Sequence, residues 1–161
     1  MTLDRLHDAI QKAFEWHDGH LWVFTTADSE YGMPDPELGH LSASSVRLRD
    51  VAGSPGDRIR YTYDFGDDWD HDISVEKVTP AERGAAYPRC TGGRRAGPPE
   101  DCAGIWGYEN LLAALASPED PQHVDMLEGL GLETGDQLDP SSFDRDEVTE
   151  RLLRQAEVLV R

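Results

Sequence analysis

Five aspartates and one histidine lie within nine residues of one stretch of this chain, YTYDFGDDWDHDISVE, which spans residues 61–76. The group comprises Asp64, Asp67, Asp68, Asp70, His71 and Asp72. Carboxylates at this spacing repel one another unless solvent, a cation or arginine side chains offset the repulsion. This stretch is therefore where the sequence most clearly requires a functional explanation.

A divalent cation is one explanation for the turn within this stretch. Asp67, Asp68, Asp70 and His71 offer carboxylate oxygens and an imidazole nitrogen that suit Mg²⁺, Mn²⁺ or Ca²⁺. Their spacing does not match the EF-hand calcium loop. The alternative is an acidic turn in which the aspartates accept hydrogen bonds from backbone amides and His71 packs beside Trp69. No cofactor other than a divalent cation is predicted.

The two cysteines raise the question of a zinc site. Cys90 and Cys102 could bind zinc together with His20 or His71, although neither cysteine belongs to a CxxC pair. The alternative is two thiols without a metal. A disulfide is not expected in a reducing cytoplasm.

A loop rich in arginine follows the acidic stretch. Arg89, Arg94 and Arg95 surround Gly92 and Gly93 and form a local positive patch on an acidic protein. The patch could clamp a phosphate or a carboxylate. It could also fold back and neutralise the acidic hairpin, which is the use we expect, because nearby opposite charges lower the repulsion among like ones.

The familiar catalytic motifs are absent from the sequence. It contains no GxSxG, no phosphate-binding P-loop and no HExxH. The Asp-Phe-Gly at residues 64–66 is not the magnesium motif of protein kinases, because no glycine-rich loop or HRD segment accompanies it. The catalytic residues, if there are any, are therefore unassigned.

The elements that position these residues begin with an amphipathic helix and a hairpin. Thr2 can cap a helix that buries Leu3, Leu6 and Ile10 and ends near His17. Residues 20–26 are apolar on both faces and predict a central strand. Alternation within residues 61–76 predicts a β-hairpin that buries Tyr61, Tyr63 and Phe65 on one face.

The remaining segments are loops and helices. Residues 28–45 predict a long exposed loop, 46–51 a short strand or extended segment, and 79–107 an extended surface loop. Helices are predicted at 107–117 and 121–131. A last helix begins with a capping box of Asp144 and Glu147 and presents an apolar face. That face comprises Val148, Leu152, Ala156 and Leu159.

Composition restricts the classes of function. Lys and Arg number 15 against 32 Asp and Glu, which gives a net charge of −17, so direct binding to nucleic-acid phosphates is not expected. No long apolar run or basic-then-apolar leader is present, so we expect a cytoplasmic protein without a membrane span. A length of 161 residues suits one domain, which we place at 1–161.

Several segments, taken in order, resemble the plasmid pRiA4b open-reading-frame-three-like family, also described as mobile-element passenger TnpR-like proteins. These segments are TLDRLHDAIQKAFEW with HL nearby, YTYDFGDDWDHDI, YPRCTGGRRAGPPEDC, GYENLL and DPSSFDRDEV. The resemblance implies a single α+β domain, with an antiparallel-rich sheet, helices packed on one side and a helical C-terminal third. It also implies a function that is largely unassigned.

The chain departs from this family pattern in two ways. It begins directly on the first helix, where relatives usually have a strand, so we expect a sheet that lacks an edge or central strand. Either the true start lies upstream or a partner chain supplies the strand, since an unpaired edge invites pairing. Relatives often have a cysteine at Gly97 and a histidine at Trp22, so a metal site that uses those positions would be weakened here.

These observations favour a non-enzymatic accessory or protein-interaction module, with an unknown protein partner or with self-association through the incomplete sheet edge. The alternative is a metal-dependent hydrolase or phosphate-ester-binding enzyme, with the 67–71 turn as cation ligands and Arg94 and Arg95 as anion clamp. That alternative requires the two loops to converge on one cleft. A DNA recombinase is the least expected, because it needs a serine nucleophile among arginines and a basic DNA-binding element.

Overall fold

The computed structural model describes the backbone of residues 1–158 and the side chains as far as Arg154. The helices are α1 (Leu3–Phe14), α2 (Leu48–Val51), α3 (Gly104–Ala116), α4 (His123–Leu130) and α5 (Arg145–Val158), with 3₁₀ turns at Ala43–Ser45 and Gly135–Gln137. The strands are β1 (Trp22–Thr25), β2 (Glu30–Gly32), β3 (Leu41–Ser42), β4 (Arg58–Tyr63) and β5 (Trp69–Ser74). Leu159 and the side chain of Ala156, both predicted on the last helix, lie outside the described residues.

The five strands form one sheet in the order β3-β2-β1-β4-β5. Strand β1 pairs antiparallel with both β2 and β4, and β4 pairs antiparallel with β5, whereas β3 runs parallel to β2. The predicted α+β class with an antiparallel-rich sheet is confirmed, and so is the central position of β1. Strand β1 has a partner on each side, and the two edges of the sheet formed by the described residues are β3 and β5.

One face of the sheet carries the core. The register places Trp22 opposite Tyr63, and Phe24 opposite Tyr61, so these side chains share a face. Phe24 and Tyr61 are fully buried, and Leu3 of α1 packs against them. Helix α1 therefore covers this face, which we call the core face. The opposite face, which we call the outer face, carries Arg60, Asp70 and Asp72 on β4 and β5.

Three segments differ from the predicted elements. The predicted loop at 28–45 contains β2, β3 and a 3₁₀ turn, and the predicted extended segment at 46–51 ends as helix α2. The N-terminus explains the second difference, because Leu3 N donates to Val46 O at 3.1 Å and Leu48 N donates to Met1 O at 3.0 Å. Residues 46–47 are thus held extended, and the helical turn begins after them. Helix α3 begins at Gly104, earlier than predicted.

The C-terminal third is helical, as predicted. Asp144 Oδ1 accepts hydrogen bonds from Asp146 N at 2.8 Å and from Glu147 N at 3.1 Å, which confirms the cap of α5. Val148 and Leu152 are buried, and α5 packs against α1. The hairpin prediction is confirmed except at its turn, because Phe65 is exposed instead of buried.

A buried polar network joins α1 to the sheet. His7, which is 2% exposed, stacks on Trp22 with ring centroids 4.0 Å apart. Its Nε2 lies 2.8 Å from Asp18 Oδ1, and its Nδ1 lies 2.7 Å from the Tyr61 hydroxyl. Because the carboxylate only accepts, Nε2 donates to Asp18 and Nδ1 accepts from Tyr61 in the neutral imidazole. Gln11 completes the network by donating to the Tyr61 hydroxyl at 3.2 Å.

Acidification is expected to destabilise this domain. Burial lowers the pKa of His7 and of His71 below the usual 6.5. The unfolded chain then gains protons at a higher pH than the folded protein, so this stability is complete above pH 6.5 and is lost as the pH falls through the folded pKa values. The urea midpoint should therefore be lower at about pH 5.5 than at about pH 7.5, and His7→Gln should reduce this difference. Equal midpoints in the natural protein would contradict this expectation.

Strand β5 forms an edge that no other strand of the described chain covers. Val75 exchanges backbone hydrogen bonds with Gly56 and Asp57 on the side of β4, at 2.8 and 2.9 Å. By alternation, the backbone groups of Asp72 point away from β4, towards the free side. The side chains of Asp70 and Asp72 lie on the outer face, where Arg60 is 3.4 Å from Asp70 Oδ2 and 3.7 Å from Asp72 Oδ1.

Candidate metal centre

Three metal-ligating side chains meet at the end of the sheet where β1 begins and β4 ends. One ligand atom from each of His20, Asp64 and Asp101 lies within 4.8 Å of the other two. His20 Nε2 is 3.0 Å from Asp101 Oδ1, and His20 Nδ1 is 3.5 Å from Asp64 Oδ2. In the described part of the chain, no other group of three or more His, Cys, Asp or Glu side chains meets this criterion.

Three separate segments supply these ligands. His20 lies just before β1, and Asp64 follows directly after β4 with its backbone N donating to Leu21 O at 2.9 Å. Asp101 lies in the loop before α3. Asp64 and Asp101 have φ angles of 54° and 56°, in the left-handed region that residues other than glycine seldom adopt. Such strained positions persist where surrounding structure holds them, and they are frequent at functional sites.

Asp64 is the buried member of the group, with 8% of its surface exposed. Its Oδ1 accepts hydrogen bonds from Gly66 N at 2.9 Å and Asp67 N at 3.3 Å, which fixes the orientation of the carboxylate. Within the described residues, Oδ2 accepts no hydrogen bond, and it faces His20. A cation beside His20 and Asp101 would thus meet a carboxylate whose orientation is already fixed by the backbone amides of the turn.

Glu100 anchors the loop that carries Asp101. Its carboxylate accepts hydrogen bonds from His17 N at 2.9 Å and from the Tyr63 hydroxyl, and it lies 2.7 Å from His17 Nδ1. Partial burial would raise the pKa of Glu100, but the hydrogen bonds from Tyr63 and His17 outweigh it and hold that pKa below its usual value. Trp16 Nε1 adds a hydrogen bond to Pro98 O at 3.0 Å. The loop is therefore fastened to the end of α1 and to β4.

The structure does not bring together the four residues predicted as cation ligands in the hairpin. Asp70 and His71 are neighbours on a strand, so their side chains lie on opposite faces of the sheet. Asp70 accepts a hydrogen bond from the Thr62 hydroxyl on the outer face. Asp68 is exposed in the turn, whereas Asp67 is half-buried against Gly104. Within the described residues, the aspartate that caps backbone amides of this turn is Asp64, through Gly66 N and Asp67 N, and none of Asp67, Asp68 and Asp70 does so.

His71 belongs to the core face. Its ring contacts Phe14 and Trp16 edge-on, with centroids 5.1 and 5.6 Å away. Its Nδ1 lies 2.9 Å from Trp69 O and 3.3 Å from Tyr61 O. Carbonyl oxygens only accept, so Nδ1 carries the hydrogen. These contacts assign His71 a packing role in the sheet.

The predicted zinc ligands also lie apart. Cys90 exchanges hydrogen bonds with Thr149 on α5, whereas Cys102 lies in the loop before α3. Burial, with the nearby Asp67 charge, raises the pKa of the Cys102 thiol to about 11. Within the described residues, the two cysteines and His20 form no metal-binding group. His20 is thus the one predicted ligand that the structure places in the candidate centre.

Among the described residues, the arginine loop forms no ion pair with the hairpin aspartates, in contrast to the expected neutralising role. Arg89 NH2 lies 2.8 Å from Glu82 Oε1, and the guanidinium of Arg89 lies over the Tyr87 ring. Arg94 and Arg95 line a cavity near the end of α1. The charge that offsets the hairpin aspartates Asp70 and Asp72 comes instead from Arg60 on the neighbouring strand, a residue that was given no role in the prediction from sequence.

The candidate centre itself was not predicted from the sequence, where Asp64 is only a neighbour of the acidic turn and Asp101 has no assigned role. A signal was nevertheless present, because HL, YDFGD and PPEDC each supply one member of the group, and all three belong to the segments that carry the family resemblance. Trp22, which replaces a histidine of relatives, stacks on His7 in the core and lies outside the group of three.

The fold and this site define a small α+β domain with a three-residue candidate metal centre at one end of its sheet. A family profile described as plasmid pRiA4b ORF-3-like protein matches residues 1–147, and the chain belongs to that family. It is 38% identical over 134 residues to the uncharacterized protein y4hQ of Sinorhizobium fredii (strain NBRC 101917 / NGR234), which covers 81% of this chain and 69% of y4hQ.

A solved structure shows the same fold. The crystal structure of MM3350, a protein of unknown function from Methanosarcina mazei Go1, superimposes with a TM-score of 0.78 and 34% sequence identity. The match covers 91% of this chain and 82% of MM3350. Separately, none of the helices in the described part of the chain is both long enough and apolar enough to cross a bilayer.

Proposed function

We propose that this chain is an accessory protein-interaction domain whose loop before α3 is fixed by a divalent cation bound to His20, Asp64 and Asp101. The observation that carries the proposal is the approach of three ligand atoms, from three separate segments, to within 4.8 Å of one another. Two carboxylates offset the charge of a divalent ion, and one imidazole nitrogen beside carboxylate oxygens suits Mn²⁺ or Zn²⁺.

The proposed interaction role rests on the apolar side chains that follow the loop carrying Asp101. Helix α3 begins three residues after Asp101, and its first turn exposes Ile105 and Trp106 at 61% and 78% of their surfaces. Large apolar side chains exposed together are typical of contacts with other proteins. A cation that holds Asp101 against His20 would thus fix the orientation of this apolar turn. Three predictions are untested: a protein partner, self-association through a sheet edge, and a cytoplasmic location.

Metal binding tests the proposal directly. Isothermal titration with Mn²⁺ and Zn²⁺, supported by elemental analysis, should give one ion per natural chain. Asp64→Asn should weaken cation binding at least about tenfold, because loss of a residue that only supports a metal ligand already costs about that much. Asp72→Asn is the matched control, because Asp72 is exposed on the outer face. Equal stoichiometry and affinity in natural protein and Asp64→Asn, with both folded by circular dichroism, would refute the site.

A second candidate is a metal-dependent hydrolase. Three protein ligands leave positions on the ion for a water molecule and a substrate, and the Asp101 side chain is 76% exposed, so the site is accessible. The cation ligands do not share a cavity with the arginine loop, because the cavity that Arg94 and Arg95 line includes Glu100 but none of the three ligands. Metal-dependent ester hydrolysis that disappears in Asp64→Asn would favour this candidate.

A further inference from the structure

A cavity of about 720 Å³ lies between the end of α1, the loop at residues 90–99 and the first turns of α5. Its volume falls within the range of small-molecule binding sites in proteins, about 300–1,000 Å³. It is separate from the candidate metal centre, because His20, Asp64 and Asp101 do not line it. A function for this cavity therefore does not depend on the proposed cation.

Aromatic rings and a close-fitting loop form the walls of this cavity. Phe14 and Trp16 stack with centroids 4.7 Å apart on the side of α1, and Phe143 lies on the side of α5. A Cβ atom on Gly97 would lie 2.5 Å from the Phe14 ring, and one on Gly93 would lie 2.6 Å from the Phe143 ring. The glycines thus allow the loop backbone to pack directly on both rings, which closes the flanks of the cavity.

The carboxylates around the cavity are already engaged. Arg151 NH1 lies 3.0 Å from Glu15 Oε2 and 3.4 Å from Glu147 Oε1. Glu100 accepts hydrogen bonds from His17 and Tyr63. The fourth carboxylate, Asp144, accepts hydrogen bonds from the first amides of α5. These acidic side chains are therefore occupied and do not compete strongly for an arginine on the opposite wall.

Two of the cationic groups on the cavity wall have no such partner among the described residues. Arg94 and Arg95 form no ion pair with any carboxylate of the described residues. Arg151 contributes a buried Nε that has no hydrogen-bond partner among those residues. Guanidinium groups bind carboxylate and phosphate oxygens with paired hydrogen bonds. The cavity thus combines aromatic walls with two arginines that form no ion pair among the described residues, in a protein whose net charge is −17.

We propose that this cavity binds a small organic anion, with Arg94 and Arg95 contacting its carboxylate or phosphate head and the Phe14, Trp16 and Phe143 rings enclosing its apolar body. The aromatic walls favour an aromatic or branched aliphatic body over a bare inorganic ion. The negative charge of the whole protein repels small anions, so the two arginines alone would attract such an anion only weakly. Contacts between the ligand and the aromatic walls are therefore needed for binding.

Four probes separate the contributions of charge and apolar surface. Phenyl phosphate and benzoate carry both features, inorganic phosphate carries only the charge, and benzyl alcohol carries only the ring. In isothermal titration, phenyl phosphate or benzoate should bind with a Kd of about 1 mM or tighter, and at least about tenfold more tightly than phosphate or benzyl alcohol. Absence of saturable binding by both aromatic anions, or equal binding by inorganic phosphate, would overturn the proposal.

Variants locate the binding. Arg94→Gln combined with Arg95→Gln should weaken binding of the aromatic anions at least about tenfold, because charge-assisted hydrogen bonds are lost. Both side chains are exposed, so the double variant should fold. Arg49→Gln is the matched control on α2, where Arg49 is 72% exposed and does not line the cavity. Asp64→Asn should bind the anions as the natural protein does, so failure of the metal site and failure of this cavity are distinguishable. Unchanged binding in the double variant would overturn the proposal.

Discussion

Replacing His7 by alanine is expected to lower the free energy of unfolding by about 2–5 kcal/mol. The change removes the imidazole that stacks on Trp22, and it leaves the Tyr61 hydroxyl without an acceptor in a site where Tyr61 is fully buried. A large-to-small change in a close-packed core combines lost contacts with a cavity, and here an unsatisfied hydroxyl is added. Equilibrium urea denaturation at pH 7.5 or so measures the effect.

Two further variants divide this loss into its causes. His7→Phe retains a ring beside Trp22 but cannot accept from Tyr61, so it should recover part of the loss. Lys12→Ala lies on the exposed side of α1 and should change stability by no more than about 0.5 kcal/mol. A loss in His7→Ala no larger than that in Lys12→Ala would show that the network contributes little to stability.

Replacing Gly104 by alanine is expected to destabilise the domain by about 2–4 kcal/mol and to weaken cation binding. Gly104 has a φ of +68°, and an added Cβ atom would lie 2.5 Å from Asp67 O. The backbone must shift to relieve that contact, because a carbonyl of the hairpin turn cannot rotate away as a side chain can. The shift would move the loop that carries Asp101 away from His20.

Gly129→Ala is the matched control for this variant. Gly129 lies within α4, has no heavy atom within 4 Å of an added Cβ and does not have a positive φ. Alanine in a helix is more favourable than glycine by about 0.5–1 kcal/mol, so the control should be stabilised. Thermal unfolding measures both variants, and titration with Mn²⁺ measures the cation affinity. Similar unfolding midpoints and affinities in Gly104→Ala and the natural protein would contradict the account of this contact.

The fold was predictable where a repeating pattern spans enough residues. Helix α1 and the cap of α5 follow from apolar spacing and from Asp144, and the hairpin follows from alternation around Tyr61. Strands β2 and β3 contain only three and two residues, which is too short for any period to be recognised. Their existence depends on pairing with β1 and with each other, which is a tertiary effect.

The candidate site was less predictable, for a different reason. Alternation along β5 already places Asp70 and His71 on opposite faces, so the proposed hairpin site could have been questioned from the sequence. The approach of Asp101 to His20 could not have been predicted from the sequence, because the loop that carries Asp101 has no repeating pattern. Its position depends on side-chain contacts such as that of Glu100 with His17 and Tyr63.

The free edge of β5 has a consequence for the protein at high concentration. If two copies paired antiparallel about His71, Asp70 of one copy would stand opposite Asp72 of the other, twice in the same interface. Like charges directly opposite each other on neighbouring strands destabilise the pair. The two aspartates that Arg60 partly neutralises within one chain therefore oppose the stacking of edges into continuous aggregates, which is the usual hazard of an uncovered strand.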